Sequence, residues 1–205
     1  MNINIPEDKE KAIYEAALDE FALRGYINGS TNTIVKNAGI SKGALFNYFG
    51  NKLNLYLYVA DRAMETVEKE ILNNMESLSS DFFERLVQGS NARLQASIKY
   101  KRESSIIIDC YGCEDKDIIK YMEEKMTYYT GLGSDIYLKD IDYSKFKENI
   151  DINKVYEMFI YICDGLNKKN VKKYGETLDT FLENKDMMYE EVFSYINIIK
   201  ESIYK

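Results

Sequence analysis

The chain has 205 residues, of which 45% are hydrophobic and 30% are charged, and its net charge is −7. This composition is ordinary for a folded protein of one or two domains. No apolar run approaches the roughly 18 to 20 residues of a membrane-spanning helix, and a polar, charged start argues against a secretory signal. We therefore expect a cytoplasmic protein.

The single proline, Pro6, points to an all-α fold. After it, apolar residues recur with the 3.6-residue period of a helix, and alternating β-branched patterns are few. A first helix is predicted from about Glu7 to Arg24, where Gly25 ends it.

Two short helices around a tight turn are predicted between Ile34 and Phe49. Ser30 can cap the first of them, since its hydroxyl accepts a hydrogen bond from a free backbone N–H. Gly39 ends this helix because glycine adopts the left-handed backbone of a tight exit, and Ser41 caps the next helix. The arrangement is that of a helix-turn-helix, whose second helix reads the major groove of DNA.

The second short helix has a buried side, formed by Leu45 and Phe49, and an outward side of small and polar residues. The outward residues are Lys42, Gly43, Ala44, Asn47 and Tyr48. An asparagine pairs with adenine through two hydrogen bonds and an alanine methyl contacts thymine, whereas lysine and tyrosine suit phosphate. These side chains predict a DNA-reading surface.

The charge pattern supports the same interpretation. No Asp or Glu occurs in residues 21–60. The basic residues of this segment are Arg24, Lys36, Lys42 and Lys52. Residues 1–56 hold six basic and six acidic residues, so the net negative charge comes from residues 57–205. An acid-free surface on an acidic protein is where a polyanion would bind.

The segments Gly25-Tyr26, Ile34-Val35 and 38–49, with Lys52, resemble the N-terminal domain of the tetracycline-repressor (TetR) family. The resemblance implies a homodimeric bacterial transcription regulator, usually a repressor, that binds a palindromic double-stranded DNA operator and is released by a small-molecule inducer. Position by position it implies phosphate contacts for Ser30, Ser41, Lys42, Tyr48 and Lys52, and base contacts for Gly43, Ala44 and Asn47. The alternative is a TetR-like coactivator that acts by binding another protein.

Three positions depart from the usual family pattern. Val35 stands where Ala is usual, Phe46 where Tyr is usual, and Asn47 where His is common. None of them removes a donor that the motif needs, but they leave the operator sequence open.

A long helix beginning near Lys52 keeps one apolar stripe as far as Met75. At ~1.5 Å per residue it spans on the order of 30 Å, which is enough to join two domains. We expect a DNA-binding domain of residues 1–51 and a helical effector-binding and dimerisation domain of residues 52–205. Inducer binding would shift the long helix and change the spacing of the two recognition helices.

Five more helices are predicted from their periodicity, at about residues 80–89, 91–110, 115–130, 152–174 and 186–204. Residues 131–150, which include Gly131 and Gly133, are predicted to form a connecting loop.

The last two helices each carry two apolar seams, more than one domain would cover, which predicts a four-helix dimer interface. Its candidate residues are Val155, Phe159, Ile162, Leu166, Val192, Tyr195, Ile196 and Ile199. Packing within a single chain is the alternative.

The effector pocket is expected among aromatic and methionine side chains, because 18 Tyr and 9 Phe residues offer apolar walls with hydroxyl groups. The candidates are Met64, Tyr100, Tyr111, Met122, Tyr128 and Phe159. The acidic body would favour a cationic aromatic ligand, although a solvated acidic surface explains the charge equally well.

The three cysteines are interpreted as ordinary reduced thiols, with a redox role for Cys110 and Cys113 left open. Zinc wants four ligands, and the chain has no histidine. No nucleophile and base pair occurs as a motif, so we expect no metal, no cofactor and no catalytic site.

Overall fold

The computed structural model describes residues 5–75, 77–174 and 177–205, and within them the predicted all-α fold is confirmed. Residues 1–4 of the predicted first domain lie outside the described residues. The helices of the described part are α1 (Glu7–Asn28), α2 (Thr31–Asn37), α3 (Lys42–Phe49), α4 (Lys52–Asn73), α5 (Phe82–Lys99), α6 (Lys101–Gly112), α7 (Lys116–Tyr137), α8 (Ile152–Tyr174) and α9 (Leu178–Ile203). A 3₁₀ turn, Tyr143–Lys145, lies between α7 and α8.

The first helices share one hydrophobic core with helices from later in the chain. Its fully buried members include Phe21 of α1, Ile34 of α2 and Leu45 of α3. The same cluster includes Ile106 of α6 and Ile118 of α7. The core therefore crosses residue 52, where the sequence predicts a domain boundary, and that division stays a prediction about function.

A second core joins α5, α8 and α9 with the connection before α8. It buries Phe82, Tyr156 and Ile196, and it brings Phe146 against Tyr204 through an antiparallel backbone bridge. These contacts hold the end of the chain against the helical body.

α1 is interrupted where the sequence predicts its end. Gly25 has φ 68° and ψ 179°, a conformation open almost only to glycine, and the helical path resumes after it as far as Asn28. An added Cβ on Gly25 would also lie 2.3 Å from a carboxylate oxygen of Asp109 on α6.

The predicted break at Gly89 is wrong, because α5 continues to Lys99 and the chain bends at Tyr100 instead. A Cβ on Gly89 would lie 1.8 Å from the hydroxyl oxygen of Tyr137. The glycine is therefore there to admit a side chain from α7, and it interrupts no helix.

The predicted loop 131–150 is too long for a similar reason. Gly131 and Gly133 lie inside α7, and a Cβ on Gly133 would lie 1.9 Å from the hydroxyl oxygen of Tyr156. The last helix also begins earlier than predicted, at Leu178, where Thr177 caps it by accepting a hydrogen bond from the backbone N–H of Thr180.

Candidate nucleic-acid interface and interior cavity

The turn between α2 and α3 has the predicted capping groups. The Ser30 hydroxyl accepts the N–H of Thr33 at 3.3 Å, and the Ser41 hydroxyl accepts the N–H of Ala44 at 3.1 Å. Gly39, between the two helices, has φ 67°. Each serine keeps its own O–H, which remains free to donate to a phosphate.

α3 divides into a buried and an outward side, as its sequence predicts. Leu45 and Phe49 are 1% and 2% exposed and anchor the helix on the core. Of the predicted DNA contacts on this helix, Lys42, Gly43 and Asn47 are exposed, whereas Ala44 and Tyr48 are half-buried. Their contacts with DNA stay predictions, and the exposed three are placed to meet a partner.

Lys52 occupies a more internal position than its predicted phosphate contact requires. Its ammonium group donates to the carbonyl of Ile27 at 3.0 Å and lies 5.0 Å from the centre of the Tyr26 ring. Burial lowers the pKa of Lys52. In this conformation the residue caps the end of α1, and a phosphate contact would need its side chain to move.

One of the two carboxylates that flank the acid-free segment, Glu20, is turned inward. Glu20 is 6% exposed and accepts the N–H of Ser30 at 2.9 Å, which fixes the start of α2. Arg24 lies 3.5 Å from the same carboxylate. The head of the molecule, formed by α1, α2 and α3, therefore presents Lys36 and Lys42 without an exposed acid in residues 21–60.

A cavity of about 380 Å³ lies in the helical body, lined from all six helices α4 to α9. Four of the predicted ligand residues line it, namely Met64, Tyr111, Met122 and Phe159. The other two do not: Tyr100 lies at the bend between α5 and α6, and Tyr128 is 57% exposed. The cavity is within the roughly 300 to 1,000 Å³ range of small-molecule sites.

The cavity also has polar members that were not predicted from the sequence, chiefly Arg93, Ser104 and Asn170. A signal for Arg93 was present, because it follows the buried residues Leu86 and Ser90 at positions i+7 and i+3 on one face of α5. Arg93 itself is exposed, so this pattern marks a polar group beside the cavity and not a member of the packed core.

α6 contacts the cavity with one face and the head of the molecule with another. Ile107, Ile108 and Tyr111 line the cavity. On the other face, a carboxylate oxygen of Asp109 accepts the N–H of Tyr26 at 2.8 Å and the hydroxyl of Tyr56 at 2.5 Å. One helix thus connects the interior cavity to α1 and α4.

Comparison with known proteins identifies the head. Residues 13–59, from α1 into α4, match the family model described as bacterial regulatory proteins, tetR family. Over these residues the chain is similar to the TetR family.

The uncharacterized HTH-type transcriptional regulator YuxN of Bacillus subtilis (strain 168) is 40% identical to this chain over 67 residues, which is 33% of this chain and 23% of that relative. The match therefore spans about a quarter of the relative's length.

Solved structures extend the likeness to the whole chain. A putative transcriptional regulator from Saccharomonospora viridis, in complex with choline, has a TM-score of 0.69 at 17% identity and covers 98% of this chain and 100% of its own. A gamma-butyrolactone receptor, described as ArpA-like, has a TM-score of 0.55 at 16% identity over 97% of this chain and 89% of its own. At these identities the likeness concerns the fold.

The residues predicted for a TetR-type dimer interface fall into two groups. Val155, Phe159, Leu166 and Ile196 are buried within the single chain, between 2% and 7% exposed. Ile162, Val192 and Ile199 are half-buried, and Tyr195 is 42% exposed. The more exposed apolar residues of α8 and α9 are their neighbours Met158, Tyr161, Met187 and Ile198.

Cys110, Cys113 and Cys163 form no disulfide in the structure. Cys110 is buried, its sulfur lies 3.2 Å from the Tyr56 hydroxyl, and burial raises the pKa of its thiol to about 12. Burial likewise raises the pKa of Cys163 to about 11.

In the part of the chain that the structure describes, no helix is long and apolar enough to cross a membrane. The same residues contain no cluster of three or more Cys, Asp or Glu side chains arranged to hold a metal ion.

Proposed function

We propose that this protein is a homodimeric transcriptional repressor that binds a palindromic operator and releases it when a small molecule enters the interior cavity. The observation that carries the proposal is the exposed face of α3, where Lys42, Gly43 and Asn47 project from a capped helix in a segment without acidic residues. A protein of this kind works in the cytoplasm, where bacterial DNA lies.

The DNA contacts divide by chemistry. Lys42 and the hydroxyls of Ser30, Ser41 and Tyr48 bind phosphates, which positions α3 along the groove. Asn47 and the small residues Gly43 and Ala44 approach the base edges, where Asn recognises adenine. Few base contacts per subunit mean that DNA shape and the spacing of two half-sites supply part of the specificity.

A second copy of the chain pairs through the outer faces of α8 and α9. Met158, Tyr161 and Gly165 recur at i, i+3 and i+7 on α8, and a Cβ on Gly165 would meet nothing within 4 Å in its own chain. Tyr161 is 71% exposed and Ile198 on α9 is 63% exposed. Such a stripe with an open glycine suits a close crossing with another helix.

The cavity takes the effector. Its size and its mixture of methionine, tyrosine and a few polar groups suit a small molecule. Two proteins with a similar fold support this role by their descriptions, since one is in complex with choline and the other is a gamma-butyrolactone receptor.

α6, together with α4, transmits occupancy of the cavity to the head. Ile107 and Tyr111 face the ligand site while Asp109, on the same helix, holds Tyr26 at the break in α1. A displacement of α6 by the ligand would therefore change the position of α1 and the spacing of the two α3 helices.

The test is selection of bound duplexes from a random DNA pool, followed by affinity measurements at several salt concentrations. Lys42→Ala should weaken binding to all sequences and reduce the slope of log affinity against log salt by about one per subunit. Lys9→Ala, an exposed lysine at the far end of α1, is the matched control and should leave the slope unchanged. Failure to select any sequence, or equal slopes for both variants, would refute the proposal.

A further inference from the structure

The cavity contains one arginine whose position is unlike that of the other charged groups. Arg93 lines the cavity from α5. The groups with the largest charge interactions on it come from the three following helices and include Tyr111 of α6, Tyr137 of α7, and Tyr156 and Cys163 of α8. The guanidinium therefore lies close to these helices, and the residue as a whole is exposed.

Arg93 makes no hydrogen bond and no ion pair with any described residue. Arg85, two turns earlier on the same helix, is the contrast: its guanidinium donates to the carbonyls of Ile136 and Asp140, each at 3.2 Å, and caps the end of α7. A guanidinium has five N–H donors, and those of Arg93, which is exposed, are not used by any described residue. The donors of Arg93 are free for a ligand.

Tyrosine hydroxyls close to Arg93 add further free donors. Tyr137 and Tyr156 are 3% and 2% exposed, their rings stack at 5.8 Å, and neither hydroxyl has a hydrogen-bond partner among the described residues. The Tyr137 hydroxyl lies against Gly89, one helical turn before Arg93. The side-chain oxygens of Ser104 and Asn170, which also line the cavity, are buried without partners.

The cavity residues that carry charge, apart from Arg93, either form ion pairs of their own or lie in a part of the cavity away from Arg93. Lys125 forms an ion pair with Asp61, and Asp164 pairs with Lys168 at 2.7 Å. Glu68, on α4, lies with Tyr129 and Lys125, and it is absent from the charges that act on Arg93. Arg93 is thus the cavity cation without a counter-ion among the described residues.

We propose that the cavity binds an apolar molecule with a single anionic head group, a carboxylate or a phosphate, held by Arg93 and the Tyr137 hydroxyl. The apolar part lies against Met64, Met122 and Phe159. The role of this molecule as the inducer rests on the proposed function, but its binding does not. This ligand is opposite in charge to the cation that the acidic composition favours.

The chemistry of the head group follows from the geometry of its donors. A guanidinium offers two parallel N–H groups that match the two oxygens of a carboxylate or phosphate. An alcohol of the same shape accepts only one of them, and an amine places a second positive charge beside the first. The site should therefore discriminate by head-group charge more strongly than by the shape of the apolar part.

The experiment compares four probes built on one 4-phenylbutyl carbon skeleton: 4-phenylbutyrate, 4-phenylbutyl phosphate, 4-phenyl-1-butanol and 4-phenylbutylamine. Binding to the full chain without DNA is measured by titration calorimetry and by the rise in unfolding temperature. We expect both anions to bind at least about tenfold more tightly than the alcohol, and the amine to bind most weakly. Equal or tighter binding of the alcohol or amine, or no binding of either anion up to about 10 mM, would overturn the proposal.

Variants assign the effect to Arg93. Arg93→Gln should lower the affinity for 4-phenylbutyrate about 10- to 100-fold and leave the affinity for the alcohol little changed. Arg93→Lys keeps the positive charge and should lower the affinity for 4-phenylbutyrate by less. Because Arg93 has no partner in the chain, Arg93→Gln should fold with unchanged unfolding temperature. Lys172→Gln, on the exposed face of α8 outside the cavity, makes the same change in net charge and should bind as the parent does.

If Arg93→Gln binds the anionic probes as tightly as Lys172→Gln does, the proposed site is refuted. Because no DNA is present, this result is separate from that of the operator selection. A protein that binds the anions but selects no operator would keep the site and lose the proposed function.

Discussion

Removal of the Asp109 carboxylate should weaken the junction between α6 and the head. In Asp109→Ala, the N–H of Tyr26 loses its acceptor at 2.8 Å and the Tyr56 hydroxyl loses its acceptor at 2.5 Å. A hydrogen bond to a charged group is worth about 1.5 to 3 kcal/mol. The Tyr56 hydroxyl keeps the Cys110 sulfur at 3.2 Å as a second neighbour, so its loss lies at the low end. We expect a total destabilisation of about 3 to 5 kcal/mol, a large part of the roughly 5 to 15 kcal/mol that stabilises a protein.

The assay is denaturant unfolding followed by circular dichroism at fixed protein concentration, since a dimer makes the result concentration-dependent. Tyr56→Phe removes one of the two hydrogen bonds and should cost about 1 to 2 kcal/mol, and the double variant should show a coupling of at least about 0.5 kcal/mol. Asp186→Ala, whose side chain is 88% exposed, is the control and should change stability by less than about 0.5 kcal/mol. An Asp109→Ala protein as stable as this control, or additive effects in the cycle, would refute the reasoning.

Two other predictions concern the dimer and the buried thiol. Tyr161→Glu and Ile198→Glu should each shift the protein to monomers in sedimentation at micromolar concentration, because each places a charge in the proposed interface. Ile119→Glu, at an exposed isoleucine of α7, is the control and should leave the dimer intact. A dimer that withstands both substitutions would exclude this face. Burial raises the pKa of the Cys110 thiol from 9.0 to about 12. As the pH rises from 9 to 12, the thiol therefore stays protonated in the folded state but loses its proton in the unfolded state. The contribution of this group to stability is full below pH 9 and declines toward pH 12. At pH 9 iodoacetamide should therefore alkylate Cys110 at least about 100-fold more slowly in the native protein than in urea, and equal rates would contradict its burial.

The local sequence signals predicted the head well, because the groups that form it lie close together in the chain. Ser30 and Ser41 cap helices whose free N–H groups are only three residues away, and Gly39 supplies a backbone conformation that few other residues adopt. Such short-range chemistry is visible without knowing what packs against it.

The helical body was predicted less well, because the roles of its glycines and polar residues depend on side chains that are distant in the sequence. Gly89 and Gly133 resemble helix breakers in the sequence, yet each lies inside a helix and leaves room for a tyrosine hydroxyl from another helix. The surroundings of Arg93 likewise include Tyr137 and Tyr156, which only the packing of α5, α7 and α8 brings close to it. Contacts of this range leave no periodic trace in a single sequence.

Under the proposed function, the contacts of α6 indicate how a modest effect of the ligand would reach the DNA. Its head-facing contacts are of unequal strength, since the ion pairs of Arg102 with Glu15 and Asp19 join exposed side chains and contribute little. The partly buried hydrogen bonds of Asp109 contribute more. Allosteric coupling of about 1 to 3 kcal/mol changes an affinity about 5- to 150-fold. In the proposed mechanism, loss or lengthening of one Asp109 hydrogen bond in the ligand-bound state would supply that much, so a shift of α6 would be sufficient for release without a large movement of α4.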